Sequence, residues 1–205
     1  VVSVTIFEDS SPSAIVLLAR GGATVLEEGQ NEVVAQFEQP LDLGATIHTD
    51  DEGMLTLLLS DLSYLRVAAS TSLRLVGQRD ISLDDGTLYA EVTPLQGGSG
   101  QFRVRAGEVS VTVWGTSFEV SRSGGVVDVS VAEGIVEVAA NDSMVRVHEG
   151  HTVTFRDGDL SMPRQIDPAS IAAWRKPLLQ AERNPTFLRA MQKYFPSRSL
   201  DTSKL

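Results

Sequence analysis

The feature that most constrains this chain is its glycine punctuation. Gly107, Gly115, Gly124, Gly134, Gly150 and Gly158 recur at mostly eight- to ten-residue intervals, and the intervening segments alternate apolar and polar residues. Alternation places every second side chain on one face, the pattern of a half-buried strand. In Val109-Ser110-Val111-Thr112-Val113 the valines share a face. Gly115 interrupts the pattern, and Phe118 and Val120 resume it. A glycine inside such a pattern marks a bulge or a sharp bend.

The same reading extends over most of the chain. Candidate strands run over Ile15–Ala19, Ala23–Leu26, Val33–Phe37, Ala45–His48, Met54–Leu59, Tyr64–Ala68, Leu73–Leu75 and Thr87–Val92. Further ones follow at Gln101–Arg105, Glu108–Trp114, Ser117–Ser121, Val126–Val131, Ile135–Ala139, Met144–His148 and Thr152–Phe155. Short strands at regular spacing predict an all-β sandwich, barrel or β-helix-like fold, with layers of antiparallel strands.

The pattern changes near Met162-Pro163. Asp167-Pro168 is a helix-start signal, with Asp as N-cap and Pro at the first helical position. Ile171, Trp174 and Leu178 then share a face at helical spacing, and Pro177 is expected to kink or end that helix after Lys176. Asn184-Pro185 repeats the signal before Phe187, Leu188, Met191, Tyr194 and Phe195, a second helix stopped by Pro196. The expected organisation is a linker over 1–13, a β domain over 14–161, a helical extension over 162–197 and a frayed tail over 198–205.

Charge divides the chain in the same place. Residues 1–161 carry −15 and residues 162–205 carry +5, within a total of −10. An acidic body lacks the basic stripe that phosphate neutralisation needs, which argues against nucleic-acid binding. The basic tail is expected to dock on its own body. Cysteine is absent, so thiol usage does not indicate a compartment. No apolar run approaches the ~18 residues of a membrane-spanning helix, and no signal peptide is visible, so any leader or anchor of a longer parent would precede Val1.

No constellation with its own chemistry emerges. His148-Glu149-Gly150-His151 spaces its histidines i, i+3 across a glycine turn, not i, i+4 on a helix, and only His48 remains as a third nitrogen ligand. A cupin-like metal barrel lacks its paired histidines. The acidic turns at Asp50-Asp51-Glu52-Gly53 and Asp157-Gly158-Asp159 lack the calcium-loop pattern and fit ordinary turn chemistry. Gly97-Gly98-Ser99-Gly100 precedes no helix start, and Ser117 has no nucleophile-elbow context. The expectation is a non-enzyme with no metal and no cofactor. Trp114 follows Val113 and so faces away from the core; with Trp174 it forms a possible interaction surface. The tyrosines, Tyr64, Tyr89 and Tyr194, suit core or docking positions.

An ordered set of segments resembles the FecR family. These are G-A-T-I-H-T from Gly44, M-L-T-L-L-L from Met54, Y-L-R-V from Tyr64 and I-S-L-D-D-G-T-L from Ile81. F-R-V from Phe102, V-W-G-T-S-F-E-V from Val113, V-S-V-A-E-G-I-V-E-V from Val129 and V-R-V-H-E-G from Val145 continue it. The resemblance implies structural roles for Gly115, Thr116, Phe118 and Gly134. It implies an extracytoplasmic, periplasmic sensing or protein-interaction domain of a bacterial signalling or envelope protein, membrane-anchored or secreted. In the best-known members such a domain relays a signal from an outer-membrane transporter to a cytoplasmic sigma factor. The sequence from Val1 holds neither the anti-sigma helices nor the span of signalling members, which a longer parent would carry ahead of Val1, and the residues after Met162 are too few for the α+β module of transporter-coupled members. The expected partner is another protein. A glycan- or cell-wall-binding envelope module is the alternative.

Overall fold

The computed structural model describes residues 12–95, 100–182 and Lys193. Among the described residues eighteen strands form the body in chain order. They are β1 (Ala14–Arg20), β2 (Ala23–Leu26), β3 (Val33–Val34), β4 (Pro40–Leu41), β5 (Thr46–Thr49), β6 (Met54–Leu59), β7 (Tyr64–Val67), β8 (Thr71–Gly77) and β9 (Asp80–Glu91). Then come β10 (Phe102–Ala106), β11 (Val109–Val113), β12 (Ser117–Ser123), β13 (Val126–Glu133), β14 (Ile135–Ala140), β15 (Ser143–His148), β16 (His151–Arg156), β17 (Asp159–Leu160) and β18 (Arg164–Gln165).

The strands make two sheets joined by β9. A front sheet runs β1–β6–β7–β9–β12–β13–β16, with β4 beside β1, and β17 and β18 beside β16. A back sheet runs β3–β2–β5–β8–β9–β10–β11–β14–β15. Residues Asp80–Asp85 of β9 pair with β8 or β10 in the back sheet, and Gly86–Glu91 pair with β7 or β12 in the front sheet. Of these pairings only β9 with β10 is parallel.

The single long strand changes sheets at Gly86. Its φ is +93°, and a Cβ there would sit 2.3 Å from Thr71 Oγ1 and 2.6 Å from the Ser70 carbonyl oxygen. Only glycine satisfies both conditions. Beyond β9 the chain lays hairpins alternately on the two sheets: β10–β11 on the back, β12–β13 on the front, β14–β15 on the back, then β16 on the front. The glycine rhythm follows from this course. Gly107, Gly124 and Gly158 lie in hairpin turns, while Gly115, Gly134 and Gly150 lie where the chain crosses between sheets.

Strand alternation fills the space between the sheets. One row of the front sheet, Val16–Leu57–Leu65–Ala90–Phe118–Val131, is wholly buried across six strands. It shares one core with Ile81, Val104, Val111 and Val138 of the back sheet. Phe118 and Phe102 meet across the sandwich edge to face, with centroids 6.5 Å apart and an interplanar angle of 75°, a favoured aromatic geometry.

The residues after 162 depart from the expected helix. Asp167 does cap a turn, its carboxylate accepting from the Ala169 amide at 2.9 Å, but that turn is a 3-10 piece of three residues, Pro168–Ser170. Ala172 then turns left-handed (φ +49°), a second 3-10 turn covers Ala173–Arg175, and an α-helix, α1, spans Lys176–Glu182. Pro177 therefore begins a helix instead of ending one. In the first turn its missing N–H has no intrahelical partner to lose. The second expected helix, the end of the tail and most of the expected linker lie outside the described residues.

Candidate interaction surfaces

The outer face of the front sheet carries an unusual polar row. Reading the register across the strands gives Leu18–Thr56–Arg66–Tyr89–Glu119–Ser130–Thr152. Four of these, Thr56, Arg66, Tyr89 and Thr152, are at most 2% exposed although they point away from the core. The tail covers part of this row. Glu182 accepts from Thr56 Oγ1 at 2.8 Å, from Arg66 Nε at 2.9 Å and from Arg66 Nη2 at 2.7 Å. Arg66 Nη1 pairs with Glu91 at 2.9 Å, and Arg175 approaches the same Glu91 oxygen at 3.2 Å. The Arg175 guanidinium lies 3.9 Å from the centroid of Tyr89, a cation–π contact. The Trp174 indole N–H donates to Glu119 at 2.8 Å.

Burial alone would push the Arg66 guanidinium down. The Glu182 hydrogen bonds and the field of Glu91 outweigh it and hold the group above its ordinary value. Burial raises the Tyr89 hydroxyl and the Glu119 carboxyl. For Glu119 the Trp174 hydrogen bond opposes that rise without cancelling it. An array of this kind can hold a segment in place.

At the corner where the chain crosses between sheets, Gly115 has no room for a side chain: a Cβ would sit 2.5 Å from Pro94 Cγ. Thr116 is 5% exposed; its hydroxyl donates to the Ile135 carbonyl at 3.2 Å and its own carbonyl accepts from Val92 N at 3.0 Å. Gly134, at φ +90°, completes the neighbouring crossing, its hypothetical Cβ 3.4 Å from Thr116 Cγ2. The structure thus gathers Gly115, Thr116 and Gly134 into one corner, with Phe118 leading from it into the core.

The back sheet presents a different surface. Trp114 follows the end of β11 at the crossing where Thr116 bonds the carbonyl of Ile135, the first residue of β14, and Ile135 pairs with His148 of β15. Trp114 is 38% exposed and Ile135 47%. Among the described residues β15 pairs with β14 alone, so its other edge is open, with Ser143, Met144, Arg146 and His148 exposed along it. Trp174, by contrast, is spent on Glu119; the two tryptophans do not share a surface patch of that kind.

The other candidates from the sequence fall apart. His151 Nδ1 lies 2.9 Å from the Glu149 carbonyl oxygen, and His48 sits on β5, in the back sheet. Among the described residues no three His, Cys, Asp or Glu side chains come together as a metal site would require. Asp50 accepts from the Gly22 and Glu52 amides, ordinary turn bonding.

Residues 45–137 match the model of the FecR family, described as FecR protein. That segment is FecR-like. No curated protein matches the chain. Two crystal structures of a candidate anti-sigma factor from Parabacteroides distasonis ATCC 8503 are similar to it, at 23% and 22% identity, each with a TM-score of 0.56. The first alignment covers 63% of this chain and 63% of that one, the second 66% and 70%. At that identity the likeness establishes the fold. The FecR-like match contains Arg66, Glu91, Trp114, Glu119 and most of the crossing corner, whereas Trp174, Arg175 and Glu182 lie beyond it. The clamp therefore joins the matched segment to a tail outside it. Sequence reasoning missed Arg66 and Glu182 entirely, and the one available signal was the unbroken apolar run of β1, whose two faces both need cover. Among the described residues no helix is long and apolar enough to cross a membrane.

Proposed function

We propose that this chain is the non-catalytic sensing and protein-interaction part of a bacterial regulatory signalling protein, working on the periplasmic side of a membrane-anchored or secreted parent. The family match supports a regulator. The observation that carries the interaction reading is the juxtaposition of exposed Trp114 and Ile135 beside the open edge of β15. The clustered ionisable groups, meanwhile, are engaged with one another on the front sheet. An open strand edge offers backbone donors and acceptors to an incoming strand, and an adjacent aromatic and aliphatic pair supplies apolar anchorage.

The partner is then an envelope protein contributing an extended segment. A glycan platform needs several exposed rings. Trp174 and Tyr89 are engaged by Glu119 and Arg175, and this leaves Trp114 without them. Gly115, Thr116, Phe118 and Gly134 serve this reading as scaffold: they fix the corner from which Trp114 projects. The organisation it implies is a β domain over 14–161 carrying the docking surface and an extension over 162–197, of which residues 171–182 are fastened to it.

Photocrosslinking tests this. A benzophenone side chain placed at Ile135 in the parent protein, in its own cells, is expected to yield an adduct with one envelope protein. Val145→Pro, which disrupts the β15 edge, is expected to abolish it. Adducts insensitive to that change, or adducts with glycan only, overturn the reading.

A further inference from the structure

The front sheet holds a second surface, and it is already occupied. Residues 171–182 lie over it as a strap. Polar contacts fix its position: Glu182 on Arg66 and Thr56, Arg175 on Glu91 and Tyr89, Trp174 on Glu119. Apolar burial accompanies them: Ile171, Ala172 and Trp174 pack with Tyr89, and Leu178 is wholly buried. The buried ion pair adds little net stability to this seam while penalising every misplaced arrangement. Charge pairs of this kind specify a position more than they secure it.

Two further features make the strap separable. It is reached through Ala172 at φ +49°, a left-handed conformation that a non-glycine residue gives up readily. It also lies beyond the segment that matches the family. When it lifts, Arg66, Thr56, Tyr89 and Glu119 become an open receptor: a guanidinium aimed outward, a hydroxyl donor beside it, an aromatic face, and a carboxylate placed to accept an N–H.

We propose that the outer face of the front sheet around Arg66 is a binding site for a helical segment bearing a carboxylate, occupied in cis by residues 171–182 through Glu182 and opened to a partner when that strap lifts. The partner chemistry is the strap's own. It is a short helix with a glutamate or aspartate that docks on Arg66 and Thr56, preceded about two turns earlier by a cation for Glu91 and Tyr89. The site is separate from the β15 edge, and its test does not depend on that surface.

Hydrogen exchange on the intact chain provides the first test. Amides of residues 171–182 are expected to exchange on the order of 100-fold faster than those of β7 and β9, because they open locally and not with the sheet. Equal protection of strap and sheet overturns the proposal. The second test adds the synthetic peptide 171–182 to the full Glu182→Gln chain. Chemical-shift changes are expected at Thr56, Arg66, Tyr89, Glu91 and Glu119. The intact strap of the unaltered chain should demand at least about 10-fold more peptide, and the same peptide carrying Glu182→Gln should produce no change. A folded Glu182→Gln chain without these shifts at millimolar peptide contradicts the site. Should that chain not fold, the exchange rates of the unaltered chain decide.

Discussion

Glu182 and Arg66 stand 116 positions apart in the chain, yet the guanidinium gives both carboxylate oxygens a hydrogen bond, at 2.9 and 2.7 Å, in a site where each residue is almost wholly buried. Removing one partner leaves the other charge stranded, whereas replacing both with apolar groups removes the burden together. Arg66→Met alone is expected to destabilise the protein by up to about 3 kcal/mol, less wherever the strap lifts and water reaches Glu182. Arg66→Met with Glu182→Leu is expected to recover most of that loss. Urea unfolding of the two single variants and the double variant measures the coupling, and strict additivity would contradict it.

Glu119 carries a pH signature. Its carboxyl is raised by burial, so the folded state takes up a proton more readily than the unfolded chain. A group raised in this way favours folding fully below its unfolded value, and the favour is lost as pH rises through the folded value. Glu119→Gln keeps an acceptor for Trp174 and removes the charge. The variant is therefore expected to gain in Tm relative to the native chain at about pH 7 and to lose that advantage at about pH 4. Thermal unfolding at both values checks the sign.

One crossing glycine and one hairpin glycine separate two physical causes. Gly115→Ala drives a Cβ to 2.5 Å from Pro94 and is expected to cost about 1–3 kcal/mol through overpacking. Gly124→Ala meets nothing within 4 Å at φ +55°, so only the left-handed backbone is charged, about 1 kcal/mol. Moving Pro94 aside by Pro94→Ala should rescue the first and leave the second unchanged, as denaturant midpoints would reveal.

Phe118→Ala opens a cavity against Phe102 at the junction of the two sheets. The expected loss is about 3–5 kcal/mol, read by calorimetry.

How far the sequence foretold this structure differs between its parts. Alternation located the hairpins β10–β11, β12–β13 and β14–β15, because one buried face fixes register. It did not show β9 as one strand: Asp84-Asp85-Gly86 has the composition of a turn, and the chain instead runs straight through it while changing sheets. Pro177 was misjudged because proline stops a helix already begun but suits a helix just starting. The strap site was hidden for a different reason. Arg66 sits at a solvent-facing position of Tyr64-Leu65-Arg66-Val67, and nothing local says that a distant glutamate will cover it. Trp114 was legible, since adjacency to Val113 decides which way it points.

The central claim is that the face bearing Trp114 and Ile135 works by binding another protein. Its most direct measurement is signalling output from the parent protein carrying Trp114→Ser together with Ile135→Thr. The matched control is Val34→Thr with Phe37→Ser, residues exposed to a similar or greater degree away from β15. The account predicts loss of output in the first variant, normal output in the control, and a similar Tm for both. Normal output from a folded Trp114→Ser, Ile135→Thr protein would contradict it.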